Sequence, residues 1–222
     1  VQELAGYIDH TLLKPGATKE QFIQLCEEAI QYKFKSVCVN SSWVPFVAKK
    51  LRGSSIKVCS VIGFPLGEMA TRSKAFEARN AIANGAHELD MVMNIGALKS
   101  GNLKLVEEDI RAIKRACRST TLLKVIIETS LLTETEKILA CEISKKAGAD
   151  FVKTSTGFTG SGATVEDIAL MRRVVGPKMG VKASGGIRDY KTAVAMICAG
   201  ATRIGAGGSV AIITGSPHSK SS

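Results

Sequence analysis

Glu134–Thr154 reads ETEKILACEISKKAGADFVKT: a stretch of helical periodicity to Ala147, then Gly148 and Ala149, then a short apolar run through Phe151 and Val152. A glycine just past a helix supplies the left-handed residue that ends it, so this segment is a helix that stops and hands the chain to a strand. The same signal recurs at Asn84-Gly85-Ala86 and Ala199-Gly200-Ala201. Working outward, β-branched runs occur at Tyr7–Leu12, Lys35–Val39, Ile56–Ile62, Glu88–Met93, Leu122–Glu128, Phe151–Thr154, Gly180–Ala183 and Arg203–Gly205, eight in all. Helical stretches lie between them at Lys19–Tyr32, Arg72–Asn84, Leu103–Arg118, Glu134–Ala147, Val165–Val175 and Tyr190–Ala199. The mean spacing of about 28 residues fits a right-handed βα unit. An α/β chain of this order closes as a (β/α)8 TIM barrel. An open doubly wound sheet also alternates, but it usually has fewer strands at this length, and no GxGxxG follows the first strand. No linker divides the chain, so residues 1–215 are expected to form a single barrel domain and 216–222 a disordered tail.

The 222 residues are 45% hydrophobic and 23% charged, with a mean hydropathy of +0.12, enough to bury a core without covalent staples. No run is long and apolar enough for a membrane span, and the first residues lack a signal-peptide pattern. The six cysteines form no CxxC pair and sit in apolar stretches, which reads as reduced core thiols of a cytoplasmic protein and gives no metal site. The net charge of +10 is lopsided: eight Lys and Arg residues between 172 and 222 face Asp189 alone. That tilts toward a phosphorylated partner. Nucleic acid competes, but aromatics are only 5% and no basic stripe interleaves with them.

In such barrels chemistry sits where strands run into the βα loops. Lys153 ends an apolar strand before a run of hydroxyls, and Lys182 occupies the same place one unit later, so adjacent parallel strands bring two lysines together. Two ammonium groups that close cannot both stay charged cheaply, and a neutral amine attacks carbonyls. Period-two alternation turns Asp90 inward, where it needs a cation. Lys124 is turned inward too, and a purely structural ion pair with Asp90 is as good a reading as proton transfer. Gly185-Gly186 and Gly207-Gly208-Ser209 follow the seventh and eighth strands, where backbone NH groups of these barrels hold phosphate.

At this point the chain resembles the deoxyribose-phosphate aldolases. The motifs that carry the resemblance are Asp9-His10-Thr11-Leu12-Leu13-Lys14-Pro15, Glu88-Leu89-Asp90-Met91-Val92, Lys124–Thr129, Lys153-Thr154-Ser155-Thr156-Gly157-Phe158 and Lys182–Arg188. The resemblance implies a class I aldolase that reversibly cleaves 2-deoxy-D-ribose 5-phosphate to acetaldehyde and D-glyceraldehyde 3-phosphate, without cofactor or metal, in a dimer or tetramer. It implies that Lys153 forms the Schiff base, that Lys182 is the charged neighbour keeping it nucleophilic, and that Lys182 and Asp90 move protons, supported by Lys124 and Asp9. Thr156, Gly157, Gly185, Gly186, Gly207, Gly208 and Ser209 would bind substrate and phosphate. Many members carry hydroxyl residues where this chain has Gly207 and Gly208, so contacts there would come from backbone NH groups with help from Ser209. Cys38, on the second strand, is a candidate for attack by aldehyde.

Overall fold

The computed structural model describes residues 2–215; the expected tail at 216–222 lies outside them. Eight parallel strands, β1 (Ile8–Leu12), β2 (Ser36–Val39), β3 (Lys57–Ile62), β4 (Glu88–Val92), β5 (Leu122–Ile126), β6 (Phe151–Lys153), β7 (Gly180–Ser184) and β8 (Arg203–Ala206), close into a barrel in sequence order. Among the described residues ten α-helices surround them: α1 (Gln2–Ala5), α2 (Lys19–Tyr32), α3 (Val44–Lys50), α4 (Thr71–Ala83), α5 (Ile95–Lys99), α6 (Leu103–Ala116), α7 (Glu134–Lys146), α8 (Val165–Val175), α9 (Tyr190–Cys198) and α10 (Ser209–Thr214).

The three Ala/Asn-Gly-Ala signals do what the sequence predicts. Gly85, Gly148 and Gly200 take positive φ, and the following residue closes the helix with a 6→1 bond: Ala86 N–H to Ala81 O, Ala149 N–H to Ser144 O and Ala201 N–H to Met196 O. Gly200 is required twice over, because a Cβ there would press within 2.7 Å of Arg172 Cγ. Arg172 passes that gap to donate to the Gly200, Gly176 and Met179 carbonyls.

Strand alternation sorts the core into two layers. Ile8, Leu89, Met91, Leu123, Val125, Val152, Val181, Ala183 and Ile204 face the helices in one apolar cluster. The opposite faces turn Asp9, Asp90, Lys124 and Lys182 into the barrel, all with no exposed surface. Phe151 lies under this interior, its ring 5.2 Å from the Arg203 guanidinium, and Gly180 leaves the space that the ring fills.

Two expectations are corrected. Not every cysteine is a core thiol: all six are free, but Cys117 is half-buried and Cys198 is exposed, because α9 buries Ala193 and Met196 and turns Cys198 away from that stripe. Nor is the C-terminal basic stretch a phosphate surface as a whole. Arg203 and Lys182 are buried inside the barrel and Arg172 caps carbonyls, so among the described cations of that stretch only Arg188 lines the cleft described below.

Candidate active site

Register sets the geometry. β4 pairs Asp90 with Lys124, β5 pairs Ile126 with Lys153, and β6 pairs Lys153 with Lys182. Long side chains from β5, β6 and β7 therefore converge on the short carboxylate of β4. Lys153 Nζ is 2.8 Å from Asp90 Oδ2, and Lys182 Nζ is 2.7 Å from the same oxygen. Lys124 takes the other oxygen, Oδ1, at 2.8 Å. Lys182 reaches its position beside Gly205, where a Cβ would come within 2.9 Å of its Cε. The predicted Lys153, Lys182, Asp90 and Lys124 thus form one cluster, and Asp9 joins it by accepting from Lys182 at 2.6 Å.

The two lysines do not face each other bare, as the spacing alone suggests: a carboxylate oxygen stands between them. Burial works against the Lys182 ammonium, but Asp9 and Asp90 outweigh it and hold the group above the ordinary lysine range. Burial likewise works against the Asp90 carboxylate, and Lys124, Lys153 and Lys182 together hold it well below the usual carboxylate range. Asp9 is held low by Lys182, Lys124 and Arg203 against the same burial.

Sequence reasoning missed four members of the interior. Arg203 donates to Asp9 at 2.8 Å and to Glu88 at 2.7 Å; Glu88 also lies 2.6 Å from Lys124. Ser36 donates to Asp9 at 2.7 Å, and the Cys59 thiol donates to Asp90 Oδ1 at 3.2 Å. The signal was present: Glu88 is two residues from Asp90 and Arg203 two from Gly205, so each shares an inward face. Glu128, in the left-handed region at φ 53°, was missed as well. Its carboxylate accepts from the Thr156 N–H and from the Thr156 and Thr159 hydroxyls, both at 2.6 Å, which fixes the loop after β6.

Above the cluster opens a cleft of about 550 Å³, in the range of small-molecule sites. Lys153 is at its floor. Thr156, Gly157, Gly185, Gly186, Gly207 and Gly208 line it, as the sequence suggests, together with the two cations Lys14 and Arg188. Gly185 and Gly186 both need positive φ, 87° and 76°, and Gly185 touches Gly162 so closely that neither has room for a side chain. Ser209 is the exception: its hydroxyl is wholly buried and bonds His10 and the Ala206 carbonyl, so it does not reach the cleft. Cys38 is fully buried, and the neighbouring Cys59 side chain lowers its thiol below the ordinary range against the effect of burial. Among the described residues, Cys38, Cys59 and Asp90 bring ligand atoms within 4.8 Å of one another, but a metal ion there would meet the charges of Lys124 and Lys182 on the same carboxylate.

A buried lysine touching a carboxylate and a second, firmly charged lysine, at the floor of a cleft walled by glycine loops, can form a carbinolamine and shuttle the protons this needs. The chain is 65% identical over 213 residues to the deoxyribose-phosphate aldolase of Streptococcus gordonii, covering 96% of each chain. It is 64% identical over 209 residues to that of Brevibacillus brevis, covering 94% of each. The tetrameric deoxyribose phosphate aldolase from Aeropyrum pernix superposes with a TM-score of 0.89 at 36% identity, over 96% of this chain and 90% of that one. Residues 4–213 match the model of the DeoC/LacD family of aldolases, and to that family the chain belongs.

Proposed function

We propose that the protein reversibly cleaves 2-deoxy-D-ribose 5-phosphate to acetaldehyde and D-glyceraldehyde 3-phosphate through a Schiff base on Lys153. The observation that carries this reading is the chain Lys153–Asp90–Lys182, two lysines on one carboxylate oxygen, at the floor of the cleft. The neutral Lys153 amine adds to the C1 aldehyde, and loss of water from the carbinolamine gives an iminium. The C2–C3 bond then breaks as the C3 hydroxyl gives up its proton; the bonding electrons flow into the iminium and leave an enamine. C3–C5 depart as the phosphorylated aldehyde. Protonation of the enamine at C2 and hydrolysis release acetaldehyde and return the amine.

Asp90, held as a carboxylate, binds a proton too weakly to keep it and serves as a bridge, while the Lys182 ammonium is the donor on its other side. Lys124 and Asp9 hold the far ends of Asp90 and Lys182 and so support the relay. The phosphate is placed at the Gly185-Gly186 and Gly207-Gly208 loops, with Lys14 and Arg188 as its cations. Free thiols fit the reducing cytoplasm, and the reaction belongs to deoxyribose-phosphate catabolism. The chain works as a homo-oligomer: the Aeropyrum pernix relative is tetrameric, and Phe76 and Met69, 66% and 43% exposed, offer apolar surface for a second copy.

Borohydride added with 2-deoxyribose 5-phosphate is expected to fix a substrate-derived mass on Lys153 and to leave Lys153→Leu unlabelled. A reduced adduct mapped to Lys182 or Lys124 overturns the assignment.

A further inference from the structure

His10 sits between Asp9 and Thr11 on β1, but its side chain turns outward, behind the cleft wall. Only 3% of the residue is exposed, and its ring packs on Phe34 at 5.0 Å. Each ring nitrogen has one partner. Nε2 lies 2.6 Å from Glu28 Oε2 on α2, and Nδ1 lies 2.8 Å from the Ser209 hydroxyl at the start of α10. That hydroxyl is also 2.9 Å from the Ala206 carbonyl. Glu28 is steadied in turn by Gln24, which donates to its other oxygen at 2.8 Å.

A serine, a histidine and a carboxylate in this order are the parts of a nucleophilic triad. Here the hydroxyl has no exposed surface, so no substrate reaches it, and the arrangement has to act through what it holds. It holds the turn Ala206-Gly207-Gly208-Ser209. Gly207 and Gly208 line the cleft and bring no side chains to anchor themselves; a Cβ on Gly208 would meet nothing within 4 Å. Glycine backbone is costly to order, so a turn of two glycines keeps its place only if its flanks are fixed.

Proton accounting shows how firmly His10 does this. A carboxylate only accepts, so Nε2 carries a hydrogen toward Glu28. In the neutral ring Nδ1 is then bare, and the Ser209 hydroxyl donates to it; in the imidazolium Nδ1 donates instead, and the hydroxyl turns to Ala206. Burial holds His10 below the ordinary histidine value against the pull of Glu28, so the neutral ring prevails at pH 7. In either state Ser209 is held from behind.

We propose that His10 is a positioning residue for phosphate recognition: bridging Glu28 to Ser209, it fixes the Gly207-Gly208 turn at the depth where its backbone meets the substrate's phosphate. This rests on the phosphate placement given above. The test compares kcat and KM for 2-deoxyribose 5-phosphate and for unphosphorylated 2-deoxyribose in His10→Phe, which keeps the ring contact with Phe34 but neither hydrogen bond, in His10→Gln, which keeps a donor and an acceptor, and in the smaller change Ser209→Ala. In His10→Phe and Ser209→Ala the ratio of kcat/KM for the phosphorylated over the plain sugar is expected to fall about tenfold, chiefly through KM, the effect of roughly one buried hydrogen bond. His10→Gln should recover part of it. An equal loss on both sugars, or no loss on either, overturns the proposal; if His10→Phe does not fold, Ser209→Ala decides it alone. Gly207→Val separates the two readings. If it leaves the ratio untouched, the phosphate placement is wrong; if it lowers the ratio while the Ser209 and His10 variants do not, only the role of His10 falls.

Discussion

Oδ2 of Asp90 accepts from Lys153 and Lys182 together, and that shared atom separates the effects of changing each residue. Lys182 is held above the ordinary lysine range by Asp9 and Asp90, so it stays charged across neutral and mildly alkaline pH. A fixed positive charge beside an amine favours the amine's neutral form, and its ammonium is also a proton donor. Lys182→Leu removes both. Imine formation at pH 7, followed by borohydride trapping, is expected to slow about a hundredfold or more and to recover partly toward pH 10. Asp90→Asn leaves the Lys182 charge in place, so an adduct should still be trapped while overall turnover drops. An unchanged pH profile in Lys182→Leu would show that the second lysine does not activate the first. These three residues were legible in the sequence because each is a charged residue within an apolar strand. Arg203 and Glu88 carry the same inward alternation but more weakly, since a single charge near a strand's start reads equally well as surface, and the closed barrel places Asp9 and Lys124 beside them inside.

The loops after β6 and β7 act as one element. Ala163 donates to both the Ser184 and Gly185 carbonyls, and Thr154 and Ser184 exchange bonds at the strand ends, so the glycine wall of the cleft is braced against the strand that carries Lys153. Gly186 projects into open space at positive φ. Gly186→Leu therefore costs about 1–2 kcal/mol of backbone strain and also fills the cleft. KM for 2-deoxyribose 5-phosphate should rise at least about tenfold, with a much smaller change for 2-deoxyribose; equal losses would reduce the glycine to a fold residue. At this scale the sequence was read well where helices were long and ended in glycine. It was silent on α1, α3 and α5. Pro45 and the β-branched Val44 and Val47 blur the helical pattern of α3, and α5 is five residues, shorter than any periodicity can register. Strand ends differ by a residue or two from the expected bounds, which alters no side's facing because the alternation has a period of two along the whole strand.

Across the whole molecule, Lys124, Lys153, Lys182 and Arg203 meet Asp9, Glu88 and Asp90 inside one barrel, where most barrels of this kind stack branched aliphatics. The carboxylates are held below their ordinary values, so their share of stability is complete above about pH 5 and drains only as pH falls through those lowered values. Lys124, Lys182 and Arg203 are held above theirs, so their share is complete below about pH 10 and is lost only beyond it. Urea midpoints should thus be flat, as far as this network goes, from about pH 5 to 10. Asp9→Ala takes from Lys182 and from Arg203 one of the two carboxylates that each of them holds, and should cost about 3–5 kcal/mol in that window; a midpoint equal to the parent's would mean that the interior charges are not coupled as drawn. The same network has a consequence for how the chain comes to be active. Asp9 lies on the first strand, and its partners Lys182 and Arg203 lie on the last two, so the bonds that steady the lysine cluster cross the seam where β1 meets β8. Contacts so distant along the chain are among the slowest to form. During refolding, catalysis should return only when the seam shuts, later than the helices, which makes enzyme activity a reporter of ring closure.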